Sequence, residues 1–191
     1  MNYKGEKIKG LLDAYTKKYE AITSKAREEY IKTLKPNQMI PETIPFHFYE
    51  GEWEKVVAET RTQITDIINI EREEIAQKLT DAPSSEAVNT LMLLGMRKNI
   101  TEGDINNLME RYGNNPQVYQ AINDIAQDHN INIYKKHPIV EHSEKLEILA
   151  DNINHLSKFD VQTYNGMPYG LISMYKKSVD EVFEDAEAGE A

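Results

Sequence analysis

Residues 101–122 read TEGDINNLMERYGNNPQVYQAI, and this stretch predicts two short helices joined by a tight turn. Thr101 and Asp104 have the spacing of a capping box, which begins a helix, and Gly113 is a typical helix stop. The Asn-Pro pair two residues later restarts a helix, with the proline at its first position. This pattern is typical of a DNA-reading helix-turn-helix and equally of a piece of helical core.

Charge decides between these two interpretations. Residues 101–130 contain five Asp/Glu and a single base, Arg111, a balance of −4. Because Lys and Arg must neutralise phosphates before a protein holds nucleic acid, we expect no DNA or RNA binding here. The apolar positions predict core instead: Ile105, Leu108, Met109, Tyr112, Val118, Tyr119, Ile122 and Ile125.

A first long helix is predicted over residues 6–34. Its apolar positions are spaced 4, 3, 4, 3 and 4 residues apart. This average of 3.5 marks the contact line, or seam, of a coiled coil. We identify a candidate self-association seam on this helix, formed by Ile8, Leu12, Tyr15, Tyr19, Ile22 and Ala26.

A connector follows, and then a second long helix. Pro36, Pro41 and Pro45 exclude a helix and predict an extended connection. Residues 52–79 carry a broad apolar stripe that begins at Trp53, which predicts a helix about as long as the first. The two helices form either a coiled-coil hairpin within one chain or an arm exchanged between protomers.

The rest of the chain predicts a compact bundle of five shorter helices. These are expected over residues 83–96, 101–113, 115–129, 143–158 and 169–184. The fold class is therefore mainly α. We divide the chain into a basic N-terminal helical arm (1–36), a proline-rich connector (37–51), an acidic helical body (52–184) and an acidic tail (185–191) that we expect to be disordered.

Composition excludes several classes of protein. The 191 residues are 40% hydrophobic and include no cysteine, so neither disulfides nor thiolate metal sites can form. The longest apolar run falls far short of the roughly 20 residues that span a bilayer, and a secretory signal is not evident. We expect a cytoplasmic protein without membrane contact.

Charge is divided unevenly along the chain. The net charge is −10, but residues 1–36 carry nine Lys/Arg against five Asp/Glu, a balance of +4, and residues 37–191 a balance of −14. A basic segment of this kind can dock on an acidic surface of its own chain or of a partner.

Catalytic and cofactor motifs are not found. His137 and His142 in HPIVEH are five residues apart, with Pro138 directly after the first, whereas a zinc-binding helix needs a pair four apart. Phosphate-binding glycine loops and the G-x-S-x-G nucleophile motif are missing as well. We therefore expect no catalytic residue, no metal and no cofactor.

Residues 91–126 read LMLLGMRKNITEGDINNLMERYGNNPQVYQAINDIA. This segment resembles parts of small helical proteins encoded in the structural-gene regions of phages and prophages of Gram-positive bacteria. The resemblance implies a virion or assembly component and assigns no role to any residue.

Two functions are expected from these features. The first is a non-enzymatic structural or assembly protein that acts through helix-mediated self-association, with itself or other protein subunits as partners. The alternative is an acidic helical inhibitor or nucleic-acid mimic that binds a basic partner protein. The negative charge of the acidic body supports this alternative.

Overall fold

The computed structural model describes residues 2–40, 45–133, 136–157, 163–164, 167–168 and 171–183. The prediction of a mainly α fold is confirmed. Within these residues a short 3-10 turn (Phe46–Phe48) lies between the first two helices, and β1 (Thr163–Tyr164) pairs antiparallel with β2 (Met167–Pro168). The helices are α1 (Tyr3–Thr33), α2 (Glu50–Thr80), α3 (Ser85–Gly95), α4 (Glu102–Tyr112), α5 (Pro116–Asp128), α6 (Pro138–Asn154) and α7 (Leu171–Phe183).

Side-chain caps explain where several helices begin. The hydroxyl of Thr101 accepts a hydrogen bond from the Asp104 backbone amide, and the Asp104 carboxylate accepts one from the Thr101 amide at 3.0 Å. Both bonds of the predicted capping box are therefore formed. Similar acceptors begin α1, α3 and α5, namely the side chains of Asn2, Ser84 and Asn115.

The start of α6 corrects a predicted boundary. The sequence pattern predicts a helix from Ser143, but α6 begins at Pro138. Proline suits the first turn of a helix because its missing N–H would have no intrahelical partner there. The ring Nδ1 of His137 then accepts a hydrogen bond from the backbone N–H of Ile139 at 3.1 Å. Histidine takes the place of the usual Ser, Thr, Asp or Asn cap, which is why the sequence pattern missed this start.

The chain divides into two compact units, residues 1–69 with 147–191 (unit 1) and residues 70–146 (unit 2). The division falls within α2 and α6. The sequence-based division into arm, connector, body and tail follows charge and prolines rather than contacts, and it stays a prediction. The expected disordered tail lies outside the described residues, as do residues 41–44 of the connector.

Unit 1 buries residues of α1, α2, α6 and α7. A close approach marks the α1–α7 packing, since a Cβ on Gly5 would lie 3.0 Å from the Cβ of Phe183. Its largest fully buried side chains include Ile8, Leu12, Tyr15, Trp53, Ile64, Ile68, Leu149, Ile153 and Phe183.

Unit 2 has a core of its own. The predicted helices α4 and α5 pack with α3 around one cluster of apolar residues, so residues 101–122 do contribute core positions. The buried members are Ala87, Leu94, Ile105, Leu108, Val118, Ile122 and Ala126.

Two glycines of α1 are expected to respond differently to alanine. A Cβ added at Gly10 would meet no described atom within 4 Å, so Gly10→Ala should stabilise the fold by about 0.5–1 kcal/mol through helix propensity. Gly5→Ala should lose that gain, because its methyl group would press on Phe183. Urea denaturation of both variants measures the difference, and equal gains would contradict the close α1–α7 packing.

Candidate functional site

The candidate seam on α1 lies within the packing of unit 1. Its residues fall into three groups: fully buried Ile8, Leu12 and Tyr15, buried Ala26, and half-buried Tyr19 and Ile22. Four of the six side chains are thus already buried by residues of the same chain.

Aromatic contacts hold the middle of the seam. The Tyr15 ring centroid lies 4.7 Å from that of Trp53, and the Tyr15 hydroxyl donates a hydrogen bond to the Ser157 carbonyl at 2.8 Å. Tyr19 meets Trp53 edge-on, with ring centroids 4.9 Å apart. A second chain could reach these side chains only if α1 were exchanged between protomers. Self-association through the seam therefore stays a prediction.

Lysines of α1 pair with acids of the same unit. Lys18 Nζ lies 3.4 Å from Glu59 Oε2, and Lys25 Nζ lies 3.0 Å from Glu52 Oε1, both on α2. The hydrogen bond with Glu52 raises the pKa of Lys25. These pairs are exposed and contribute little stability, but they place basic side chains of the N-terminal helix beside acidic ones of α2.

Helix α3 has two apolar faces rather than one. Ala87 and Leu94 are buried in the unit 2 core, and Leu91 packs against it half-buried. On the other side, Met92, Leu93 and Met96 are 64%, 66% and 80% exposed. Val88, one helical turn before Met92, continues this exposed row. We call Val88, Met92, Leu93 and Met96 the α3 face.

The α3 face is bordered by opposite charges at its two ends. Glu86 is the single charged residue within Ser85–Gly95, and its Oε1 accepts a hydrogen bond from the Tyr112 hydroxyl at 2.8 Å. Arg97 and Lys98 follow the helix, and both are exposed. An apolar strip exposed to solvent and bordered by charge is typical of a protein interaction site.

Sequence reasoning missed this surface although the signal is present. Residues 91–94 read LMLL, and four successive helical residues point in four directions about 100° apart. One core-facing stripe cannot bury them all, so at least one must face outwards. Which of them is buried depends on how α3 packs.

Unit 2 also contains a cleft of about 570 Å³ along α4, α5 and the segment before α6. Its lining includes Ile105, Asn106, Met109, Tyr119, Ile133 and Lys136. The Lys136 ammonium is paired with Glu144 at 2.7 Å, and the rest of the lining combines the Glu102 carboxylate with amide and apolar groups. Such a volume is within the range of ligand pockets, but a lining that is as polar as it is apolar defines no ligand class.

His137 lies beside this cleft and is almost fully buried. Its Nδ1 accepts from Ile139, so the neutral ring carries its proton on Nε2, 3.3 Å from the Asn114 carbonyl oxygen. Burial lowers the pKa of His137, opposed by its backbone hydrogen bonds. The Tyr119 ring meets His137 edge-on, and burial raises the pKa of the Tyr119 hydroxyl, which has no hydrogen-bond partner among the described residues.

The second histidine of the HPIVEH motif has a different partner. His142 Nε2 lies 2.8 Å from Glu71 Oε1, and both side chains are largely buried. Since His137 is occupied by backbone groups, the two histidines do not converge on one point. Across the described residues, no cluster of three or more His, Asp or Glu side chains is arranged to hold a metal ion.

None of the helices in the described part of the chain has the length and apolarity that a bilayer crossing needs. No family model, curated protein or solved structure matches the chain.

The buried His137 predicts a component of acid sensitivity. Its pKa in the folded state lies below the ordinary 6.5, so the folded state resists protonation more than the unfolded state does. The contribution of His137 to the free energy of unfolding is fully present above pH 6.5, and it is lost as the pH falls through the lowered pKa of the folded state. His137→Asn keeps an acceptor for the Ile139 amide and does not titrate. Urea midpoints measured from about pH 7.5 to about pH 5 should fall more steeply for the wild type; parallel curves would contradict this role.

Proposed function

We propose that this chain is a non-enzymatic structural or assembly protein that acts through helix-mediated self-association. The observation that carries the proposal is the α3 face, where three large apolar side chains are each more than 60% exposed. Burying a Met or Leu side chain is worth about 1.5–3 kcal/mol relative to leaving it in water. A surface of this kind favours a protein partner.

The proposal places self-association on α3 rather than on the α1 seam. We take α1 and α2 to form an antiparallel hairpin within one chain. The order of their ion pairs supports this arrangement. Lys18 pairs with Glu59 and Lys25 with Glu52, so the residue number rises along α1 as it falls along α2. A hairpin occupies the seam residues internally, so a partner would contact apolar side chains elsewhere, and the α3 face groups four of the exposed ones on one helix.

The resemblance of residues 91–126 to phage and prophage structural-region proteins supports the same class of function. This segment includes most of the α3 face. A subunit that joins others through a small apolar patch is suited to an assembly that forms as its concentration rises. Within that proposal, the protein works in the cytoplasm of the host cell or as part of a virion.

The acidic charge of the chain supports the second candidate, an inhibitor that binds a basic partner. Residues 37–191 carry a balance of −14, and acids such as Glu54 and Glu73 of α2 are exposed. Binding of that kind weakens steeply with salt, whereas an apolar self-contact does not. Salt dependence therefore separates the two candidates.

Self-association is tested by sedimentation velocity from about 1 µM to about 500 µM, a range suited to a small interface. The proposal expects the mass to rise above one chain with concentration, in high salt as well as in low salt. A single-chain mass over the whole range would overturn it.

Met92→Glu is expected to weaken association at least tenfold, because a carboxylate would have to be desolvated in the contact. Met174→Glu is a matched control, since Met174 of α7 is 61% exposed but lies outside the α3 face. Circular dichroism checks that both variants keep their helices. Association that survives Met92→Glu unchanged would exclude the α3 face and favour exchange of α1.

A further inference from the structure

We infer that the partner of the α3 face is the same helix of a second copy, packed antiparallel about a two-fold axis at Met92. This inference rests on the proposed function and adds the partner, the orientation and the register. Three features of the described residues carry it: the spacing of the exposed side chains, the position of the charges and the exposed area.

The spacing of the α3 face is symmetric about Met92. Val88 lies four residues before it and Met96 four residues after it, so the three form one row along the helix. In an antiparallel pair centred there, Met92 meets its own copy and Val88 meets Met96 of the other chain. The small Val88 side chain leaves room for the long Met96 side chain of the other copy. The flexible thioether side chains can fill the remaining gaps.

The two ends of the helix carry opposite charges. Glu86 lies in the first turn of α3, where it accepts a hydrogen bond from Tyr112 of its own chain, and Arg97 and Lys98 follow the last turn, with Arg97 3.5 Å from Asp104 of its own chain. Antiparallel packing brings the acidic start of each helix towards Arg97 and Lys98 of the other chain. Parallel packing would instead bring the like-charged ends of the two helices to the same end of the pair, which is unfavourable. Antiparallel helix dipoles add to the same preference.

The exposed area sets the expected strength. From their exposed fractions, the four residues of the α3 face present roughly 400–500 Å² per copy. Two copies would bury about 800–1000 Å², which falls at the small end of specific interfaces. The contact is therefore expected to be reversible in the micromolar range or weaker. Two-fold symmetry closes such a contact at the dimer, whereas a head-to-tail contact would continue into a filament.

Single cysteines test the register directly, because the natural chain contains none. Met92→Cys should form a covalent dimer on mild oxidation or with a short bis-maleimide, since the two-fold places residue 92 against itself. A mixture of Val88→Cys and Met96→Cys should cross-link far more than either variant alone. Met174→Cys, equally exposed on α7, gives the background from random collisions.

The outcomes are distinct. Val88→Cys that cross-links to itself more than to Met96→Cys would show a parallel pair and overturn the inference. An associating chain in which Met92→Cys cross-links no faster than Met174→Cys would also overturn it while leaving the proposed function in place. A chain that stays monomeric at every concentration overturns both, even if its α3 face then binds lipid vesicles or another protein.

Discussion

The contact between Tyr15 and Trp53 is the interaction on which the arrangement of unit 1 depends. The Tyr15 ring is fully buried against Trp53, and its hydroxyl is satisfied by the Ser157 carbonyl at 2.8 Å. A buried tyrosine needs such a partner, because an unpaired hydroxyl away from water costs free energy. One side chain of α1 thereby contacts both α2 and the segment after α6. This commits the apolar line of α1 to the interior.

Because this line is buried, self-association must use other residues unless α1 is exchanged between protomers. A heptad line on an isolated helix is equally compatible with a partner chain and with a helix of its own chain. Once Ile8, Leu12 and Tyr15 are enclosed, the same residues contribute to folding instead of to a surface. The α3 face is then the candidate surface for self-association, since its exposed side chains do not contribute to the unit 2 core. The symmetric spacing of this face supports the proposed pairing with a second copy.

The polar groups around the cleft of unit 2 serve mainly to hold the chain in place. His137 begins α6 through its ring nitrogen and is bonded to the Asn114 carbonyl, so both ring nitrogens are used by the backbone. Protonation removes the Nδ1 acceptor and with it the bond from Ile139, while the Nε2–H bond to Asn114 is kept, and the charged ring must then stay buried, which connects burial in the fold to acid sensitivity. The lining of the cleft combines amides, apolar side chains and the Glu102 carboxylate, and its Lys136 is paired with Glu144.

Local signals in the sequence are enough to establish the helical class, because apolar periodicity, prolines and caps act over a few residues. The capping box at Thr101, the stop at Gly113 and the restart at Pro116 follow from residue types at fixed offsets, and α4 and α5 form at those places. The start of α6 was missed because a histidine cap has no strong sequence signature.

Which apolar faces are covered depends instead on tertiary packing. Packing buries Ile8, Leu12 and Tyr15 of the α1 seam, whereas in the LMLL segment of α3 it buries Leu94 and leaves Met92 and Leu93 in solvent. Burial is a property of neighbours distant in sequence, so local pattern could not assign it.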